Sequence, residues 1–263
     1  MSSLEPDPAA LAALAEEAAR AAGRELLARA GRPANVGSKS SGTDMVSDAD
    51  RAAERVVLAR ITSARPHDAV IAEEGGAAEG RTGLRWVVDP LDGTTNYLWG
   101  VPHWAVSIAV ADGGGALAGV VFDPCRDEMY RAVRGGGAHL NGAPLTVNRS
   151  PGLHDALVGT GFNYLSDERA RQAARLSDLL PCVRDIRRFG AATHARSRAA
   201  GRLDAFFERG LQEWDWAAGA LVVREAGGEV VVLPPEPPRP GGVVAGHPDL
   251  VGPLHALVEG GRG

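Results

Sequence analysis

The chain predicts an α/β protein in which helices pack on a mixed sheet, and three observations carry that expectation. Segments with apolar residues at helical spacing alternate throughout with short apolar runs bounded by Gly, Pro, Asn and Asp. An apolar share of 44% against 23% charged is that of an ordinary globular protein, not a disordered one. At 263 residues the chain suffices for one large core or two closely packed halves. The halves are expected as an N-terminal α+β half over residues 1–150 and a C-terminal α/β half over residues 151–263, joined in one globular unit.

Taken in order, Pro8 to Ala30 is rich in Ala and Leu, with acids early and arginines late, as a helix dipole favours. "DADRAAERVVLARITSA" repeats apolar positions at helical spacing, and "DAVIAEEG" then reads as a short buried strand running into a turn. Strand "RWVVD" follows, then "WAVSIAVADGGGALAGVVFDP" as two strands around a Gly-rich hairpin. "EMYRAV" and "GGGAHLNGAPLTV", with an Asn141-Gly142 turn, extend an antiparallel sheet. Beyond Gly152 come strand "ALVGTGF", helix "SDERARQAARLSDLL", a helix near Ala191 to Gly201, strand "LDAFFE", helix "DWAAGALVVREAGG" and strand "EVVVL". "PPEPPRPGG" is a rigid surface loop, and "GGVVAGHPDLVGPLHALV" supplies a last strand and helix.

Composition also excludes functions. A net charge of -5 and a pI near 5.8 leave no broad basic surface for nucleic acid. The amino terminus has no basic n-region and carries Glu5, Asp7, Glu16 and Glu17, against a signal peptide, and no run approaches the length of a membrane span. A cytoplasmic protein is expected. Cys125 and Cys182 have neither metal-type spacing nor a partner motif and read as idle thiols.

The informative stretch is "RWVVDPLDGTTNYLWGVP", where an apolar strand ends in two aspartates, Asp89 and Asp92. Burying ionised carboxylates is costly unless donors or a cation face them. Pro90 bends the chain after Asp89 and Gly93 permits a conformation that a side chain would forbid, so both carboxylates and the Leu91 carbonyl can face one point. Thr94 and Thr95 suit a helix start, whose N–H groups receive a phosphate. Hard oxygen ligands beside an anion cradle point to magnesium. The alternative is an Asx-turn with a helix cap. Glu73 stands at the end of another predicted strand, where it reads alone as a solvated loop acid, and Asp215 stands at a helix start, where it reads alone as an N-cap.

Together "EEG", "DPLDGTTN" and "WDWAAG", in this order and at these separations over nearly the whole chain, resemble the inositol monophosphatase family of magnesium-dependent phosphatases. The resemblance implies an alternating αβαβα layered fold, a homodimer, lithium sensitivity, and hydrolysis of phosphate monoesters of small polyols, with myo-inositol 1-phosphate as the default substrate. It implies that Glu73, Asp89 and the Leu91 carbonyl bind one Mg²⁺, that Asp89, Asp92 and Asp215 bind a second, and that a third, weaker ion lies near Glu73. Gly93 and Thr94 are then expected to present N–H groups to the phosphate, and Asp50 to work with Thr94 in orienting the attacking water. Lys39, the single lysine, matches the lysine opening that segment. Glu208 matches an acid that contacts substrate hydroxyls, and the backbone of Gly190, Ala191 and Ala192 aligns with a further substrate contact. Relatives acting on fructose 1,6-bisphosphate, 3′-phosphoadenosine 5′-phosphate, histidinol phosphate or NADP, or associated with transcription complexes, set the alternatives. No membrane or direct nucleic-acid partner is expected.

Other phosphate chemistries fit less well. "SDADRA" mimics an Asp-x-Asp nucleophile but follows no apolar strand, and "GRPANVGSKS" breaks the Gly-Lys pair of a P-loop. Cys125 lacks a downstream glycine-rich phosphate loop with arginine, and His103, His194 and His247 are scattered. One segment departs from the family pattern: "RRFGAATHARSRAAGRLDAFFE" is polar where relatives carry an apolar helix, which would leave Arg196 and Arg198 exposed or paired. Codons for these residues, read one base over, can encode Leu, Thr and Val, so resequencing the gene tests the segment.

Overall fold

The computed structural model describes residues 7–32, 35–39, 45–148, 152–190, 201–235 and 241–260. Helices α1 (Pro8–Arg29) and α2 (Asp48–Ala64) flank a short ladder of β1 (Gly37–Ser38) and β2 (Met45–Val46). The large sheet then builds from β3 (Ala69–Ala72), β4 (Ala77–Ala78), β5 (Arg85–Asp92), β6 (Ala105–Asp112), β7 (Gly115–Asp123), β8 (Glu128–Val133), β9 (Gly137–Leu140) and β10 (Ala143–Pro144). Its spatial order is β10-β9-β8-β7-β6-β5-β3-β4, antiparallel except where β3 runs parallel to β5. The one-turn helix α3 (Thr94–Leu98) follows β5.

The second sheet runs β12-β11-β13-β15-β14, formed by β11 (Leu157–Thr160), β12 (Asp185–Arg187), β13 (Ala205–Arg209), β14 (Glu229–Leu233) and β15 (Gly242–Gly246). Its helices are α4 (Ser166–Leu179), α5 (Glu213–Glu225) and α6 (Pro248–Glu259).

Side-chain alternation sets the layers. On β5, Trp86 and Val88 point to one face and join Leu11, Ala15 and Leu26 of α1 and Val57 and Ile61 of α2. Val87, on the opposite face, joins Ala217, Ala218, Leu221 and Val222 of α5. The far side of α5 meets the second sheet through Trp216 and Val223 against Phe206, Val243 and Ala245. Beyond that sheet, Leu179 of α4 and Leu250, Leu254 and Val258 of α6 close a third cluster with Val158, Ala205 and Val244. The order is therefore helix pair, sheet, helix, sheet, helix pair: the αβαβα architecture expected. Helix α5 is apolar all round because it is sandwiched.

Differences from the expected elements are local. Helix α5 starts at Glu213 and stops at Glu225, before its terminal glycines, so Asp215 is the third helical residue and Gln212 takes the cap position. Strand β12 pairs parallel with β11 and has no clear signal in "DIR", which is too short for periodicity. The helix expected near Ala191 to Gly201, with Arg196 and Arg198, lies outside the described residues, as do Ala191 and Ala192. Among the described residues no helix is long and apolar enough to cross a membrane.

Candidate functional site

Three chain segments deliver the acids to one place. The parallel pairing of β3 with β5 ends at Ala72 opposite Val88, so Glu73, just past the end of β3, and Asp89, still on β5, follow as neighbours. The β5–β6 ladder breaks register between Asp89 and Asp92, and this irregularity turns the second aspartate toward the first. Gly93 follows with φ of 89°, a left-handed conformation that suits glycine, and lets the chain turn at once into α3. From the other half, the start of α5 contributes Asp215, whose Oδ2 accepts the Gln212 N–H at 2.7 Å.

Glu73, Asp92, Gly93, Gly190, Glu208 and Asp215 line one open cleft of about 1530 Å³, with Lys39, Arg188 and Arg209 as its cations. Asp89, Asp50 and Thr94 are nearly buried behind that lining. A second, narrow cavity between α4 and β13 is lined by a single acid, Glu168, already paired with Arg171. The acidic chemistry is therefore concentrated in the first cleft.

The charges there repel one another. Burial, then the negative charges of Glu73, Asp92 and Asp215, pushes the Asp89 carboxyl well above the usual range, and a side-chain hydrogen bond with Glu73 adds to this. Asp215 is pushed up for the same reasons, burial first and then Glu73, with the Gln212 N–H working against them. Glu208 is pushed up to about 8 by burial, Arg188 opposing and Asp92 adding to the shift, and its Oε2 is buried without a hydrogen-bond partner. Lys39 Nζ donates to Glu73 at 2.8 Å and Glu74 at 2.5 Å. Burial opposes its charge, but the two glutamates more than compensate and hold it protonated.

Asp50 and Thr94 form the polar seam beneath the cleft. Asp50 Oδ2 accepts from Ser47 N–H at 2.8 Å and Ser47 Oγ at 2.7 Å, and Oδ1 accepts from Thr94 Oγ1 at 2.8 Å. The Leu91 carbonyl lies 3.2 Å from the same hydroxyl. With its proton committed to Asp50, the Thr94 oxygen keeps its lone pairs for another donor.

A divalent cation fits this donor set chemically. Neighbouring negative charges raise the proton affinity of Asp89 and Asp215, and Asp89 shares with Glu73 a hydrogen bond that requires a proton, so the cluster lacks countercharge that one lysine cannot fully supply. Among the described residues no group of three or more Asp, Glu, His or Cys side chains is placed so that it could hold a metal ion as it stands. The cluster is an open set of hard oxygen donors.

Sequence reasoning did not single out Glu54, Glu74, Asn96 or Arg188. Asn96 Nδ2 donates to the carbonyls of His103 at 2.8 Å and Phe189 at 2.9 Å, tying the segment before Gly190 to α3. The signal for Glu54 was present: it sits four residues after Asp50, a charged side chain at a position of α2 whose spacing from Val57 and Ile61 predicts burial.

Comparison with known proteins adds an independent line. The model of the "Inositol monophosphatase family" matches residues 7–259. The chain is 44% identical over 211 residues to the inositol-1-monophosphatase of Rhizobium meliloti strain 1021, covering 79% of each protein. It is 46% identical over 230 residues to the Nus factor SuhB of Pseudomonas aeruginosa, covering 82% of this chain and 83% of that one. The crystal structure of the extragenic suppressor protein suhB from Bartonella henselae superposes with a TM-score of 0.88 at 37% identity, over 96% of this chain and 99% of that chain.

Proposed function

The chain belongs to the inositol monophosphatase family, whose members are phosphoric monoester hydrolases, and from that premise we propose that it releases phosphate from a small polyol monoester, with myo-inositol 1-phosphate as the first substrate to test. The observation that supports this reading best is the convergence of Glu73, Asp92 and Asp215 on one cleft, with Asp89 immediately behind them at the cost of mutual repulsion.

In this reading Glu73, Asp89 and the Leu91 carbonyl hold one Mg²⁺, and Asp89, Asp92 and Asp215 a second, with a third ion near Glu73. When bound, the cations lower the pKa of water toward ~7 and neutralise phosphoryl oxygens, which a reaction needing up to ~10²¹-fold acceleration demands. The residues of the chain orient the reactants. Thr94 Oγ1, its hydrogen held by Asp50, accepts a hydrogen bond from the attacking water and fixes its direction. The N–H groups of Gly93 and Thr94 face the phosphate at the start of α3, and Glu208, protonated near neutral pH, donates to or accepts from a substrate hydroxyl. Gly190, Ala191 and Ala192 supply backbone contacts to the substrate.

Phosphate release from inositol 1-phosphate, fructose 1,6-bisphosphate, 3′-phosphoadenosine 5′-phosphate, histidinol phosphate and NADP, each with and without Mg²⁺, tests the proposal. Activity confined to another member of this panel would move the substrate and keep the reaction. The name Nus factor, carried by a relative 46% identical, favours one second reading, a role in a transcription assembly, for which absence of release across the panel would speak. A cytoplasmic homodimer inhibited by lithium belongs to the same proposal. Light scattering tests the dimer.

A further inference from the structure

Glu54 is a buried carboxylate that the proposed chemistry does not use. It lies on α2 one turn beyond Asp50, so the two acids share a helix face. Asp50 reaches Thr94 on one flank of the cleft, and Glu54 reaches the β3–β4 turn on the other. Its Oε2 accepts the Glu74 N–H at 2.8 Å and its Oε1 the Gly76 N–H at 3.2 Å. The turn is otherwise held by Glu73 N–H on the Val88 carbonyl at 3.1 Å and Ala72 N–H on the Gly76 carbonyl at 2.8 Å. Glu73 is therefore fixed on one side by the strand that carries Asp89 and on the other by Glu54.

The residue type is demanded by this geometry. Two N–H donors face two oxygens, which only a carboxylate can satisfy; a glutamine would turn an NH₂ group toward one of them. Aspartate is one methylene shorter. The approach is close: a Cβ on Gly76 would lie 2.5 Å from Leu58 Cδ1 and 3.0 Å from Glu54 Oε1, so the turn sits directly against the α2 side chains that hold it. Among the described residues Glu54 has no direct ion pair, and burial and the like charge of Glu73 outweigh the more distant charge of Lys39, so a carboxylate here is poorly explained by stability alone.

We propose that Glu54 is a positioning residue, which clamps the Glu74 and Gly76 N–H groups so that Glu73 is held beside Asp89 at the separation a divalent cation requires. The inference rests on the metal-site reading above and deepens it. Groups that orient metal ligands typically contribute about 10–100-fold in metal affinity or activity.

The test is direct Mn²⁺ binding to the substrate-free protein, followed by the electron paramagnetic resonance of free Mn²⁺, with thermal denaturation on the same samples. Glu54→Gln is expected to raise the Mn²⁺ dissociation constant by about 10-fold or more. Glu54→Asp, one methylene too short to reach both N–H groups, is expected to do the same and carries the test if Glu54→Gln does not fold. Asp68→Asn is the control for lost stability: it removes a buried carboxylate at the opposite end of β3 and should lower Tm while leaving Mn²⁺ affinity within about twofold. Unchanged affinity in both Glu54→Gln and Glu54→Asp overturns the inference, as does an equal loss in Asp68→Asn. A wild-type protein that binds no Mn²⁺ overturns the metal-site reading itself, and the inference with it.

Discussion

Replacing Asp50 by Asn separates folding from catalysis, because the carboxylate serves both and the structure gives each share. Its two oxygens take three hydrogen bonds, from Ser47 N–H, Ser47 Oγ and Thr94 Oγ1. An asparagine can keep its oxygen on the two Ser47 donors, where the capping box of α2 needs it, and must then turn its NH₂ toward Thr94. The Thr94 hydroxyl rotates, accepts from that NH₂ and gives its own hydrogen to the Leu91 carbonyl, already 3.2 Å away. The second amide hydrogen finds no acceptor among these partners, so the stability cost combines that unmade bond with the loss of charge assistance, about 2–4 kcal/mol in all. Against a total of roughly 5–15 kcal/mol the protein remains folded. Catalysis loses too. The Thr94 oxygen now has a lone pair occupied by Asn and no longer offers the attacking water the same acceptor, a loss of about 10²–10³-fold in kcat. The assay is kcat and KM for phosphate release beside Tm from calorimetry. A drop in kcat of that size with a modest fall in Tm is expected, and Thr94→Ser, which keeps the hydroxyl, should stay near wild type. An Asp50→Asn protein with kcat within about threefold of wild type refutes the role assigned to this pair.

Three further outcomes follow from the same geometry. Asp89→Asn should abolish turnover while the metal-free protein melts no lower than wild type, since an uncharged amide replaces a carboxyl whose ionised form burial and the charges of Glu73, Asp92 and Asp215 disfavour; calorimetry with an activity assay checks both halves. Asp68 accepts from Arg65, Thr82 and Trp86, and although burial opposes its charge these bonds hold its carboxyl below the ordinary value of 3.8. A depressed folded pKa gives stability that is present above the unfolded pKa and lost as pH falls through the folded one, so the Asp68→Asn deficit, about 2–3 kcal/mol at neutral pH, should shrink in melts below about pH 4. Arg85→Ala should cost less than about 1 kcal/mol by chemical denaturation despite its two-pronged contact with Glu213 at 2.6 and 2.7 Å, because the pair is partly open to solvent.

Much of this architecture was legible because it rests on periodicity. The alternation of Trp86, Val87 and Val88 announces a strand covered on both faces, and α1 and α2 declare themselves by apolar spacing and end signals. The site was legible where local chemistry concentrates, in "DPLDGTTN", since Asp, Gly and Thr at those positions fix both a chain reversal and a set of donors. Spatial partners were not. That Lys39 bridges Glu73 and Glu74 depends on a β1–β2 ladder two residues long, below any periodicity. Asp215 read alone as an N-cap because the residue that fills that position, Gln212, is a weak capping type. The burial of Glu54 was legible in its helical spacing, but its role was not, because its partners lie 20 and 22 residues away and are backbone N–H groups, which carry no signature in side-chain identity.

The most direct test of the central claim is the rate of phosphate release from inositol 1-phosphate by the wild-type protein, measured first with Mg²⁺ and again after chelation. Release that requires Mg²⁺, falls to background with chelator and returns when Mg²⁺ is restored is the predicted result. A rate indifferent to the chelator would contradict the account, because the gathered carboxylates would then have no cation to serve.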